Sequence, residues 1–330
     1  TATGSGFSRW NGQSVTRWKP DTTEDRWGTF LFLRDTATNE WWSATSAPRR
    51  AEDEKTKVIF GDDKAEFFKT VGDISTSVEC IVGTEHDAEG RRLTILNTGT
   101  EDRYIEVTSY TEPVLAFEDS DNAHPLFSRM FVKTEFGRRR DVIRAERNKR
   151  SPSDPDICVA HLVVDSAGQG RPTEFETDRR KFLGRGRSLG EAAAFDPGAN
   201  LSGTEGFTLD PILSLRRVVR EDRRAVGVAG VAELAVLGGR VDGAPELFHQ
   251  RGVAHLGGVK HDFHRLGVAR AVARNLLVGG VGRCAADVAR GGREHTRDLV
   301  EVGFHTPETA ACEGGLRGGG GRRLCVGGAS

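Results

Sequence analysis

The segment EDSDNAHPLF brings Glu118, Asp119, Asp121 and His124 close together in the chain. Carboxylates and an imidazole can coordinate a metal ion or exchange protons with a substrate. The same segment is rich in turn formers, so the structural reading is a loop. ETDRRKFLGRGR supplies Arg179, Arg180, Arg185 and Arg187. A guanidinium offers paired donors to phosphate or sugar hydroxyls, although solvated or Asp-paired arginines are the commoner outcome. Trp27, Trp41 and Trp42 offer rings for the C–H-rich face of a pyranose. Core packing is the competing reading, because a β-rich chain needs large interior side chains. The adjacent Trp41 and Trp42 point to opposite faces of a strand, so at most one belongs to the main core.

Two patterns near the C-terminus carry less. Gly280, Gly282 and Ala285 in LLVGGVGRCAADVAR imitate a G-x-G-x-x-A dinucleotide fingerprint. No βαβ pattern surrounds them, and a Gly-rich segment produces such triplets by chance. His249, His255, His261 and His264, with Asp262, resemble a metal tract, but their spacing matches no standard zinc pattern. The expectation is no cofactor, no metal and no catalytic residue of its own.

With 330 residues there is room for one large domain or two ordinary ones. The 47 Lys+Arg nearly cancel the 48 Asp+Glu, which removes any whole-molecule case for nucleic acid or a membrane surface as partner. No apolar run is long enough to span a bilayer, and TATGSGFSRW has no signal pattern. Cys80, Cys158, Cys284, Cys312 and Cys325 are odd in number, and none are paired as C-x-x-C. That fits free, buried thiols and a cytoplasmic location.

The composition changes near residue 220. All five Trp, both Tyr, every Ile and the single Met precede that point, and 23 of the 41 glycines follow it. Gly, Ala, Val and Arg have GC-rich codons, so residues 221–330 read as an out-of-frame or degenerate tail. A natural Gly-rich linker is the alternative. Runs such as GGLRGGGGRR bury too little apolar surface to offset chain ordering, which predicts a poorly ordered tail.

Residues 1–220 read as strands. WGTFLFLRD, the turn TATNE and WWSAT form a hairpin signature. KVIFGDDKAEFF, ISTSVECIVGT, RRLTILNTGT, YIEVTSYTEPVLAF, ICVAHLVVD and FTLDPILSLRRVVR continue the theme. Ile74, Val78, Cys80 and Val82 share one phase of the period-2 pattern and should line one buried face, while Ile81 falls on the other. Pro211 should start or interrupt a strand, because it cannot donate to a ladder. DVIRAERNKR is the one short helical candidate. Many short strands with few helices predict an all-β antiparallel sandwich.

GSGFSRW, VTRWKPDTTEDRWGTFLFLRD, VTSYTEPVLAFEDSDNAHPLFSRMFVKTE, ETDRRKFLGRGRSL and LSGTEGFTLDPILSLRR stand in that order. Together they resemble the N-terminal supersandwich domain of glycoside hydrolase family 94, formerly glycosyltransferase 36. The nearest variant is the phosphorylase-like region of cyclic β-1,2-glucan synthases, and the likeness covers roughly residues 3–219. It implies a galactose-mutarotase-like antiparallel fold. It also implies a β-glucan or oligosaccharide as partner, and a catalytic (α/α)₆ barrel that supplies the general acid. The family pattern has a Trp about where Cys158 stands, and its strands and barrel are not legible after Arg220.

The resulting expectation is a carbohydrate-binding sandwich of a glycan phosphorylase or glucan synthase that turns over no glycan without the barrel. Trp27, Trp41, Trp42, Arg185 and Arg187 are its candidate sugar contacts. The alternatives are a stand-alone β-glucan-binding module and an inert product of a frameshifted gene.

Overall fold

The structure, a computed structural model, describes residues 1–238 except 22, 84–86, 139–140, 153, 155–156, 165–172, 223–225 and 228–230. The glycine pattern at 280–285, the histidine tract at 249–264 and most of the expected tail therefore lie outside the described residues.

Strands β1 (Arg9–Trp10) and β2 (Gln13–Thr16) come first. β3 (Phe30–Asp35) and β4 (Trp41–Ser43) form the expected hairpin, with Arg34 opposite Trp41. The Asp35 N–H donates to the Glu40 carbonyl at 2.9 Å, and Asn39 takes a positive φ in the turn. A meander of β5 (Lys55–Phe60), β6 (Ala65–Val71), β7 (Ile74–Val82) and β8 (Ala88–Asn97) follows. Ile74, Val78 and Cys80 are buried on one face of β7, as the alternation requires, while Val82 at its end and Ile81 on the other face are half-buried.

After β9 (Arg103–Tyr110) and β10 (Pro113–Phe117) come two short helices, α1 (Glu118–Ala123) and α2 (Pro125–Arg129). EDSDNAHPLF is thus helical rather than a loop. Pro125 suits the first helical position, where no N–H is needed. The chain continues with β11 (Val132–Gly137), β12 (Val142–Arg147), β13 (Ile157–Val164), β14 (Glu174–Asp178) and α3 (Arg179–Leu183). Two 3₁₀ turns, Leu189–Glu191 and Ala193–Phe195, precede β15 (Gly206–Phe207) and β16 (Pro211–Glu221). Pro211 starts its strand as expected. The helix predicted within residues 141–150 is instead β12, which pairs with β11 on one side and β13 on the other. Ladder partners on both edges override a weak local helical preference.

Every strand pairing among the described residues is antiparallel. A ten-stranded sheet faces a five-stranded sheet ordered β14-β16-β9-β3-β4, and β1-β2-β10 forms a smaller third sheet. The main core joins the first two: Phe67, Val78, Leu93, Ile95 and Val159 meet Leu31, Leu33, Trp42, Ile105 and Leu215. The five-stranded sheet is buried on its other face too. There Phe30, Phe32, Trp41, Tyr110 and Ile212 pack beneath Phe182, Leu183 and Phe195. This explains why FLFLRD is apolar at successive positions, since alternate side chains enter different cores.

Pairing continues past residue 220. β17 (Val226–Gly227) pairs with β8, and β18 (Val231–Gly238) lies between β13 and β8. A ladder is made by backbone groups, so the change in side-chain composition does not end it. Cys80 is a buried free thiol, and Cys158 is buried on β13.

Candidate functional site

The arginine segment begins at α3. Asp178 caps this helix, its carboxylate accepting from the Arg180 N–H at 2.9 Å. Gly184 ends it with φ +80°, and a Cβ there would lie 3.0 Å from the Ala193 Cβ. Glycine therefore lets the chain turn tightly against the following 3₁₀ turn. Arg185 and Arg187 stand exposed on this turn. Arg187 makes a forked pair with both carboxylate oxygens of Asp196, at 2.7 and 2.8 Å, which tie the two ends of the loop. Arg180 and Arg185 are exposed and unpaired among the described residues.

Arg179 has a different task. Its guanidinium donates to Glu112 at 2.8 Å, to the Tyr110 hydroxyl at 3.1 Å and to Asp210 at 3.2 Å. Burial opposes its charge, but Glu112, Tyr110 and Asp210 more than offset that, holding its pKa above the usual arginine value. Burial and then the Glu112 carboxylate push the Tyr110 phenol well above its ordinary range. These contacts fix α3 to the sheet, and the shifts move Arg179 and Tyr110 away from proton transfer near neutral pH.

Next to the arginine turn is a cleft of about 230 Å³. Lys181, Asn200 and Ser202 stand at its polar rim, and Phe182, Ala194 and Leu201 form its apolar floor. The Lys181 ammonium donates to the Thr204 hydroxyl at 2.8 Å, and the Asn200 amide has no protein partner among the described residues. Sequence reasoning did not single out these rim residues. Lys181 lies within the arginine motif, but Asn200 and Ser202 reach the cleft only through the fold of residues 196–204.

The tryptophans divide. Trp42 sits in the main core, 2% exposed. Trp41 is in the outer core, stacked on Phe195 on one face and covered by the Arg49 guanidinium 4.2 Å from its ring centre on the other. Trp41 and Trp42 thus take opposite faces of β4 as expected. As sugar contacts they need correction, because neither presents a free ring face to solvent. Trp27 is half-buried, with the Arg26 guanidinium 5.1 Å from its ring centre.

The acidic cluster is dispersed into ion pairs. Asp121 is buried against Arg17, Glu118 pairs with Arg9, and His124 is exposed. Among the described residues no three His, Cys, Asp or Glu side chains gather as a metal site. Around these helices lie exposed apolar side chains: Phe117, Leu126 (78% exposed), Phe127 and Met130, with Phe207 and Leu209 (74% exposed) on the chain leading into β16.

The model of the glycosyl hydrolase 94 supersandwich domain matches residues 1–225. The chain belongs to that family. Its first 220 or so residues form a domain of the kind found in glucan synthases and phosphorylases of this family. It is 72% identical over 220 residues to the cyclic β-(1,2)-glucan synthase NdvB of Rhizobium meliloti (strain 1021), a match covering 67% of this chain and 8% of the relative. It is 28% identical over 124 residues to an N,N′-diacetylchitobiose phosphorylase of Vibrio furnissii, covering 37% of this chain and 16% of that one. The chain therefore spans a small part of either relative. A solved polysaccharide lyase aligns over 71% of this chain and 33% of its own at 12% identity, with a TM-score of 0.36, too low to carry an argument.

Proposed function

We propose that this supersandwich is a carbohydrate-contacting domain of a β-glucan-processing enzyme, and that the turn bearing Arg185 and Arg187 faces the glycan. The observation that carries this reading is the Arg185 guanidinium, exposed and unpaired among the described residues, on a turn that is itself held by the α3 cap and the Arg187–Asp196 fork. A cation presented on a rigid support loses little entropy when it meets a hydroxyl or phosphate. The cleft beside it adds a polar rim over an apolar floor, the usual make-up of a sugar subsite. Trp27 remains a stacking candidate through its partial exposure.

The exposed apolar side chains Phe117, Leu126, Phe127 and Met130 on and beside α2, with Leu209, are the surface against which a catalytic domain packs in this reading. The likeness to NdvB supports β-1,2-linked glucan as the ligand class. A half-site should bind weakly, in the millimolar range, about −4 kcal/mol. The test is a titration of the chain with β-1,2-gluco-oligosaccharides, followed by Trp fluorescence and by calorimetry. Saturable binding that is lost in Arg185→Ala supports the proposal. No response at high millimolar ligand from folded protein overturns it.

A further inference from the structure

Asp210 stands on the chain between β15 and β16 and touches two surface elements at once. Its carboxylate accepts from Arg129 of α2 at 2.7 Å and from Arg179 of α3 at 3.2 Å, through the same oxygen. Its backbone carbonyl accepts the Arg179 N–H at 2.9 Å. The other ends of the two arginines are fixed. Arg179 is held by Glu112 and Tyr110, and the residue before Arg129, Ser128, accepts from Arg147 at both its carbonyl and its hydroxyl. Nearby, Arg17 pairs with Asp121 of α1 and approaches Glu112, so the ion pairs run without a break from the helical segment to Arg179, the first residue of α3. The six charges of Arg17, Arg129, Arg179, Glu112, Asp121 and Asp210 balance, which lets the cluster exist half-buried.

We propose that Asp210 is a positioning residue that joins the apolar surface on and beside α2 to the arginine turn after α3, so that the two move as one element. The proposal takes the arginine turn as glycan-facing, as above, and adds what sets its place. A partner that settles on Leu126, Phe127 and Met130 then also orders Arg185 and Arg187. Ordering α2 holds Arg129 against Asp210, and Asp210 holds the first residue of α3. Coupling of this kind needs only a shared partner and does not need a change in fold.

The experiment is amide hydrogen exchange on the full chain and on the variants Arg129→Gln, Arg129→Lys, Asp210→Asn and the double variant Arg129→Gln/Asp210→Asn. Arg129 touches nothing in the arginine turn. Arg129→Gln should nevertheless speed exchange across residues 179–187 by about fivefold, the lower end of ordinary site–site coupling. Exchange in β7 and β8 should stay unchanged. Arg129→Lys, which keeps the positive charge beside Asp210, should restore most of the protection. Added to Asp210→Asn, the Arg129→Gln change should have no further effect on the turn, because the shared partner is already lost. If Arg129→Gln speeds only the amides of α2, the proposal is wrong. If Asp210→Asn loosens β7 and β8 as well, the comparison of Arg129→Gln with Arg129→Lys decides by the same criterion. No sugar is present in these measurements, so their outcome is separate from that of the oligosaccharide titration.

Discussion

Trp41 stacks on Phe195 with ring centroids 4.1 Å apart and planes 16° from parallel. The stack continues at both ends, with Arg49 over Trp41 at 4.2 Å and Arg216 over Phe195 at 5.4 Å. It clamps the 3₁₀ turn Ala193–Phe195 onto the five-stranded sheet, and that turn forms one wall of the cleft. Trp41→Ala should therefore cost about 3–5 kcal/mol of stability, the range for removing a large buried aromatic. Denaturant unfolding measures it. A loss in sugar affinity at unchanged stability would return Trp41 to the list of sugar contacts.

Glu106 is buried between Arg34 at 2.6 Å and Arg216 at 3.1 Å. Glu106→Ala leaves two guanidinium groups without their shared carboxylate inside the protein, at a cost of about 3–5 kcal/mol. Asp102, paired with the exposed Arg220, is the contrast. Asp102→Ala should leave the unfolding midpoint where it is, because solvent already screens that pair. Equal effects of the two changes would mean that burial is not what matters here.

His161 lies buried with Nε2 2.7 Å from the Ser109 hydroxyl and, among the described residues, with no hydrogen bond at Nδ1. Burial, and then the charge of Arg91, push its pKa from 6.5 down to about 3. The unfolded chain binds a proton that the folded chain refuses, so this group costs stability as pH falls from about 6.5 to about 3. Glu221 acts in the opposite sense. Burial, and then Asp222, raise its pKa from 4.5 to about 7. The folded chain takes up that proton first, so this group adds stability as pH falls from about 7 to about 4.5. His161→Gln should flatten the acid-side loss, and Glu221→Gln should steepen it above pH 4.5. Urea midpoints measured against pH check both, and unchanged profiles would count against the assignment.

Arg185→Ala and Arg187→Ala alter exposed side chains on a turn whose backbone is fixed by glycines and an aspartate cap. Thermal unfolding should not change in the first and should shift little in the second. Any effect on oligosaccharide binding then reports contact rather than misfolding.

β18 fills the gap between β13 and β8, pairing with eight residues of the first and four of the second. A chain ending at residue 225 would expose both ladders as open edges, which invite self-association. It should elute as larger species on size exclusion than a chain ending at residue 238. Identical elution of the two would remove β18 from the sheet.

Much of the fold was legible in the sequence because a strand states its own pattern. Period-2 alternation in ISTSVECIV and the polar turn between β3 and β4 are local signals, and the five ordered motifs carried the family. The place of Trp41 and Trp42 on opposite faces was also local, since adjacent residues on a strand always diverge. Which face was covered was not local. Only the packing of α3 and the Ala193–Phe195 turn onto the five-stranded sheet gave Trp41 a second core and took it from solvent.

The helix expected near residues 141–150 failed for a related reason, because ladder partners 5 to 20 residues away outweighed local preference. The pairing of β18 across a break in composition was hidden as well, since backbone hydrogen bonds leave no trace in residue types. The sequence by itself determined strand phase, turn positions and family. The tertiary structure alone decided which charges neutralise each other. Asp210 meets Arg129 and Arg179 across 81 and 31 residues of chain, and no spacing rule reaches that far.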